Sequence, residues 1–146
     1  MKIPMSFLLL IVLCLLLSCN PTQSLQAPTY NLVGLSEFAN KLEVQQDSYN
    51  LVDVRTGGEF KKGHIKGALN ISLFNPTFKK KVAEFDRDNP IFIYCQTGHR
   101  SSYAAKWLSD LDFETIIELY GGFKAWTDSA YTISKADIGH KSGKKK

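Results

Sequence analysis

Pro90-Ile91-Phe92-Ile93-Tyr94-Cys95-Gln96-Thr97-Gly98-His99-Arg100-Ser101-Ser102 is the stretch that decides the fold. Its first five residues are apolar, β-branched or aromatic, which predicts a buried strand. A loop of mixed polarity follows, from Cys95 to Arg100. Beyond it Ala104, Trp107, Leu108 and Leu111 recur at i, i+3, i+4 and i+7, the spacing of one helix face. Strand, loop and helix together put Cys95 at the C-terminal end of a strand, where open α/β sheets bind ligands. The helix is predicted to start near Ser101 or Ser102, with its N-terminus aimed at the loop. Unpaired N–H groups and the helix dipole attract negative charge there. A thiol so placed ionises below its ordinary pKa of about 8.5. Gly98 accepts a positive φ without steric penalty, letting successive N–H groups of the loop turn inward. Arg100 adds a fixed charge and a planar fork of donors.

Working outward, Asn50-Leu51-Val52-Asp53-Val54 reads as a second buried strand entering a Thr-Gly-Gly turn, and Ala68-Leu69-Asn70-Ile71 as a third. Thr77 to Phe85 carries Phe78, Val82 and Phe85 at helical spacing, with its lysines on a solvated face. Thr115-Ile116-Ile117-Glu118-Leu119 is a further strand. Gly121-Gly122 punctuates before a short helix through Phe123 and Trp126, and the body ends near Tyr131. Upstream, Ser36 is expected to cap a helix through Phe38, Ala39 and Leu42, with Glu37 in its first turn. Trp107 and Trp126 are expected in the core, and Gly63 and Gly67 in turns. Strands alternating with helices predict one α/β domain: a small, mainly parallel sheet with helices on both faces. No internal repeat is present.

Residues 7–17 form a short apolar run behind Lys2, the pattern of a secretory signal. The run is shorter than the roughly 20 apolar residues that a membrane span needs. Leu16-Leu17-Ser18-Cys19 resembles the bacterial lipobox, which implies lipidation of Cys19 as the first mature residue. Ordinary cleavage without lipid is the alternative. The expected organisation is a signal peptide at 1–18, a polar Pro-containing tether at 19–29, the domain at 30–132 and a basic disordered tail at 133–146. The expected location is outside the cytoplasm, lipid-anchored to a bacterial membrane at its periplasmic face. Cys14 would then be discarded and Cys19 acylated. Cys95 would remain as a lone thiol, which in an exported protein suggests reactivity rather than a structural disulfide. The net charge is +4, but setting aside Lys2, Lys141, Lys144, Lys145 and Lys146 leaves the body at −1. A basic nucleic-acid-binding domain is therefore poorly supported. The lysine tail reads as a solvated end, or else as a weak contact for anionic lipid.

The Cys95 loop suits two reactions: attack of a thiolate on a sulfane sulfur, leaving a persulfide, or on the phosphorus of a phosphate ester. Both need an ionised thiol inside a ring of donors.

The loop Cys95-Gln-Thr-Gly-His-Arg100-Ser101 resembles the active-site loop of rhodanese domains. The segment from Leu51 to Ile71, with Asp53-Val-Arg55, Glu59-Phe and Gly63-His64-Ile65-Lys-Gly67-Ala68-Leu-Asn70, resembles that family's entry motif. Leu119-Tyr-Gly121-Gly122-Phe-Lys-Ala-Trp126 resembles its closing motif. The resemblance spans residues 32 to 131. It implies a rhodanese-like fold and a thiosulfate sulfurtransferase-like activity, with Cys95 as nucleophile and the amides of Gln96, Thr97, Gly98, His99 and Arg100 holding the anionic sulfur. In this family four residues between Cys and Arg go with sulfur transfer, whereas related phosphatases of the cell-cycle type have five; here Gln96 to His99 make four. Arg100 either binds an anionic donor or braces the loop through a carboxylate such as Glu59. Arg55 is grouped with the substrate-binding residues, with support beside Asp53 as its other role. His64 is expected to be a hydrogen-bonded support, and His99 to lie at the loop's rim. No metal or organic cofactor is implied. The implied partners are a small sulfur donor and an external thiol or cyanide acceptor, besides the membrane reached through the lipid. Lys66 stands where family members often carry Pro. Two rival readings remain: a module that binds a persulfide or a partner without turnover, and a phosphatase or arsenate reductase on the same fold. The enzymatic reading requires the amides to face Cys95 and the thiol to be reachable from solvent.

Overall fold

A computed structural model describes residues 28–45 and 48–134. The signal, the Cys19 lipobox, most of the tether and the lysine tail lie outside the described residues. Seven strands are present among them: β1 (Thr29–Val33), β2 (Asn50–Asp53), β3 (His64–Ile65), β4 (Leu69–Asn70), β5 (Ile91–Tyr94), β6 (Thr115–Leu119) and β7 (Ile133–Ser134). The helices are α1 (Leu35–Val44), α2 (Gly57–Lys62), α3 (Phe78–Val82), α4 (His99–Ser109) and α5 (Gly122–Thr127).

Five strands make one sheet in the order β1-β6-β5-β2-β4, and every neighbouring pair is parallel. β5 sits at the centre with all four residues buried, the reason its sequence is apolar without alternation. One face packs Val52, Ile91, Ile93 and Ile116 against Phe78 and Val82 of α3 and Ala104, Ala105 and Leu108 of α4. The other packs Leu51, Phe92, Ile117 and Leu119 against Phe38 of α1 and Phe123 and Trp126 of α5. Phe38 meets both Phe92 and Trp126 edge to face, at 5.3 and 6.3 Å between ring centroids, a favoured aromatic arrangement. Trp126 is thus core, while Trp107 is only half-buried against the first cluster, its ring 5.0 Å from the Lys79 ammonium.

Three local expectations change. Ser36 lies inside α1, and Gly34, extended and with no side-chain cap bond, precedes the helix. α4 begins at His99, ahead of Ser101 and Ser102, because Gly98 adopts φ 105° and turns the chain into the helix at once. Strand pairing also extends slightly beyond residues 30–132: β1 starts at Thr29 and pairs with β6, and β7 at Ile133–Ser134 pairs antiparallel with β3. These are pairings between distant segments, so local composition does not reveal them. No helix among the described residues is long and apolar enough to cross a membrane.

Candidate active site

The parallel sheet delivers the ends of β2, β5 and β6 to one side of the molecule. Val54 N–H extends the ladder by donating to Tyr94 O at 3.0 Å, which fixes Arg55 beside Cys95. α5 starts directly behind the loop: Phe123 N–H donates to Cys95 O at 2.7 Å and Lys124 N–H to Gln96 O at 3.0 Å. At Gly122, φ is +60° and a β-carbon would stand 2.5 Å from Cys95 O and 2.8 Å from Gln96 C and Thr97 N, so the approach admits only glycine.

Around the sulfur, Gly98 N–H donates to Cys95 Sγ at 3.1 Å, and the Ser101 hydroxyl stands 3.5 Å from it. Burial pushes the thiol up. Hydrogen bonds from the Ser101 hydroxyl and from the amides of Ser101, Thr97 and Gly98 outweigh burial and hold it below its usual value. Of the amides expected to hold the sulfur, that of Gly98 donates to it and that of Thr97 acts on it, joined by the Ser101 amide, which was not expected.

Access to solvent is a different matter. Cys95 is 1% exposed. The expectation of an open thiol is corrected: Cys95 directly follows the buried central strand, with Gly98 N–H and the buried Ser101 hydroxyl packed against its sulfur. Around it, Thr97 and His99 are exposed, and Gln96, Gly98 and Arg100 half-buried.

Arg100 and Glu59 form a fork-to-fork pair, Nη1 to Oε2 at 2.8 Å and Nη2 to Oε1 at 2.7 Å. Glu59 also accepts from the Thr56 amide at 2.9 Å, while Thr56 Oγ1 accepts from Glu59 N–H, making a capping box that starts α2. The Arg100 guanidinium, then the Thr56 groups, overcome partial burial and hold the Glu59 carboxyl down at about 2. Of the two roles open to Arg100, bracing is the one its contacts occupy. Its charge is further sustained by the nearby Cys95 sulfur.

Arg55 is 2% exposed and lies beneath the loop. Its Nε and Nη2 bind the Asp53 carboxylate, with Nη2 at 2.7 Å. Nη2 also donates to Gly63 O at 2.6 Å and Nη1 to Gln96 Oε1 at 3.1 Å. The guanidinium lies 3.9 Å from the Phe123 ring centroid. These contacts are those of a support: Arg55 ties the Gln96 end of the loop to Asp53. His64 is buried too, its ring stacked on Phe60 at 3.7 Å. A carbonyl only accepts, so His64 Nδ1 donates to Phe60 O at 3.0 Å. His99 Nδ1 sits 3.3 Å from Thr97 Oγ1 on the exposed rim.

Ser101 and Glu118 were not singled out from the sequence. Glu118 is 1% exposed, in β6, with its Oε1 2.6 Å from Ser101 Oγ and its Oε2 accepting from the Tyr30 hydroxyl at 2.6 Å. The signal for it is a lone acidic residue inside the apolar run Thr115–Leu119. Among the described residues no group of His, Cys, Asp and Glu could hold a metal ion.

With this geometry in view, residues 35–129 match the rhodanese-like domain family. The chain is 35% identical over 82 residues to "Thiosulfate sulfurtransferase GlpE" of Shewanella oneidensis, covering 56% of this chain and 79% of that one. It is 32% identical over 95 residues to "Putative sulfur carrier protein YrkF" of Bacillus subtilis, covering 65% of this chain but only half of that protein. The crystal structure of a rhodanese-related protein from Thermoplasma volcanium superposes with a TM-score of 0.61 at 26% identity, covering 73% of this chain and all of that one. The match over residues 35–129, which takes in the Cys95 loop and the Gly121-Gly122 turn, makes this chain a member of the rhodanese-like domain family.

Proposed function

We propose that this chain is a sulfurtransferase that carries sulfane sulfur as a persulfide on Cys95. The Cys95 thiolate attacks the outer sulfur of a donor such as thiosulfate. The donor S–S bond breaks, sulfite leaves with the bonding pair, and Cys95 holds an anionic persulfide. A thiol or cyanide acceptor attacks the outer sulfur, and Cys95 leaves as the thiolate with which it began. With cyanide the product is thiocyanate.

The observation that carries this reading is the set of inward donors on Cys95 Sγ, led by the Gly98 amide at 3.1 Å. Donors fixed around a sulfur stabilise its negative charge without reorganisation during reaction. The four-residue spacing to Arg100 supports sulfur over phosphorus as the target. Turnover needs a thiol reachable from solvent, which the 1% exposure of Cys95 does not provide, so this reading requires the loop to open at the exposed Thr97–His99 rim and admit the donor's terminal sulfur. Under the lipoprotein reading Cys19 is acylated, so the acceptor is external. Export and the Cys19 anchor belong to the same proposal, supported by the residue pattern of 7–19.

The burial of Cys95 also favours a second reading, a domain that stores one sulfur without turnover. Assay with thiosulfate and cyanide separates the two. Repeated turnover by the wild type, abolished in Cys95→Ser, is the expected result. One thiocyanate per chain selects the storage reading, and equal activity in Cys95→Ser contradicts the persulfide mechanism.

A further inference from the structure

Two exposed aromatic side chains flank the Cys95 loop, and the charges around it are of one sign. Leu73 N–H donates to Val54 O and Val54 N–H to Tyr94 O, both at 3.0 Å. The chain at Phe74 therefore runs two strand spacings from Cys95, about 10 Å. On the other side of the loop, the register of β5 with β6 sets Tyr120 one spacing away, about 5 Å. Phe74 is 69% exposed and Tyr120 68%. Thr97 and His99, where the loop must open, are exposed as well. Lys61 and Lys62 end α2, whose Glu59 is joined to Arg100 of the loop, and Lys66 follows β3, whose Ile65 N–H donates to the Tyr94 hydroxyl at 3.1 Å. All three lysines are exposed, and among the described residues none pairs with a carboxylate. The carboxylates at this end are matched already: Asp53 by Arg55, Glu59 by Arg100 and Asp128 by Lys124. The opposite end carries the reverse charge. Exposed Asp86, Asp88, Asp110, Asp112 and Glu114 gather where the strands begin, with Glu114 N–H donating to Arg87 O at 3.2 Å and Thr29 N–H to Glu114 O at 2.8 Å.

We infer that this rim is the docking surface for the sulfur acceptor, and that the acceptor is an acidic polypeptide segment carrying a thiol. A small anion needs charge alone. Two exposed aromatics whose main chains lie about 15 Å apart offer contact area that a small anion cannot fill. The three lysines set the sign of the partner. The acidic far end repels the same partner, so long-range attraction delivers it to the end that holds Cys95. In the step itself the partner's thiolate attacks the outer sulfur of the Cys95 persulfide. The S–S bond breaks, Cys95 leaves as the thiolate, and the partner carries the persulfide. The inference rests on the sulfur-transfer reading for what is delivered; the surface rests on the aromatics and the charges.

The probe is a short fluorescein-labelled peptide of glutamates and leucines around one cysteine, and its binding to the full chain is read by fluorescence anisotropy. The wild type is expected to bind it at low salt, to bind it less as salt rises, and to ignore a peptide with lysines in place of the glutamates. Lys61→Gln, Lys62→Gln and Lys66→Gln combined are expected to weaken binding about tenfold, roughly twofold for each exposed charge. Removing as many charges from α3, with Lys79→Gln, Lys80→Gln and Lys81→Gln, is expected to leave the affinity unchanged. Phe74→Ser and Tyr120→Ser are each expected to weaken it several-fold. Equal weakening by the two triple variants overturns the inference. Unchanged binding in both aromatic variants marks a site for small anions and overturns it too. So does a wild type that does not bind the peptide, whether its rim then takes up phosphatidylglycerol vesicles or a second copy of the chain. Anisotropy needs no sulfur donor. A chain that binds the peptide as described but gains no sulfur at Cys95 from thiosulfate would therefore refute the proposed function and leave the surface standing.

Discussion

Replacing Gly122 with alanine isolates the contact on which the loop geometry depends. Two costs arise. The first is backbone: alanine at φ +60° sits in the left-handed region, at roughly 1–2 kcal/mol. The second is collision. A β-carbon at 2.5 Å from Cys95 O and 2.8 Å from Thr97 N cannot be relieved by rotating a side chain, because the atoms it meets are backbone. The start of α5 must retreat from the loop. That retreat breaks Phe123 N–H to Cys95 O and Lys124 N–H to Gln96 O, at about 1 kcal/mol each. The expected loss is therefore about 3–4 kcal/mol. Gly121→Ala is the matched control: its φ is also positive, at 73°, but its β-carbon would meet only the Ala125 side chain, at 3.0 Å. It is expected to lose roughly the left-handed cost alone, about 1–2 kcal/mol. Urea unfolding at neutral pH measures both. Cys95 alkylation on the folded fraction reports whether the Gly98 and Thr97 amides still face the sulfur. Equal stability of the two variants, with unaltered thiol reactivity in Gly122→Ala, would refute the reasoning.

Two further substitutions test the struts around the loop. Glu59→Gln removes the acceptor of the Arg100 fork; both side chains are partly exposed, so the expected loss is about 1 kcal/mol at pH 7. The folded carboxyl is held down at about 2 while the unfolded value is about 4.3, so this stabilisation is full above the latter. It fades as pH falls through the former, and wild-type and variant urea midpoints should converge there. Asp53→Asn leaves the Arg55 charge buried and only partly paired, with an expected loss of about 3–5 kcal/mol by thermal or urea unfolding; a loss under about 1 kcal/mol would contradict the role given to that pair.

Much of the fold is legible because buried parallel strands and a strand–loop–helix junction leave local marks. Ile91–Tyr94 is apolar on both faces, Gly98 sits where the chain must turn, and Ala104 and Leu108 repeat at helical spacing before α4 meets the sheet. What stays hidden depends on contacts between distant segments. The strand pair of His64–Ile65 with Ile133–Ser134 has no signal in either two-residue stretch. Arg55 carries the residue type of an anion binder, and only the folded position of Asp53, Gly63 and Phe123 turns it into a buried strut. The register of β6 decides that Glu118 faces α4 and Ser101, and composition does not encode register. The burial of Cys95 is likewise a product of packing between the loop, α4 and the sheet.

The central claim is that Cys95, and no other group, accepts a sulfur atom. Intact mass of the protein after brief exposure to thiosulfate, read before and after adding a thiol, tests it most directly. The account predicts a gain of one sulfur atom that maps to the Cys95 peptide, is lost on adding the thiol, and never forms in Cys95→Ser. An unchanged mass in the folded wild type, or a sulfur that forms equally well in Cys95→Ser, would contradict it.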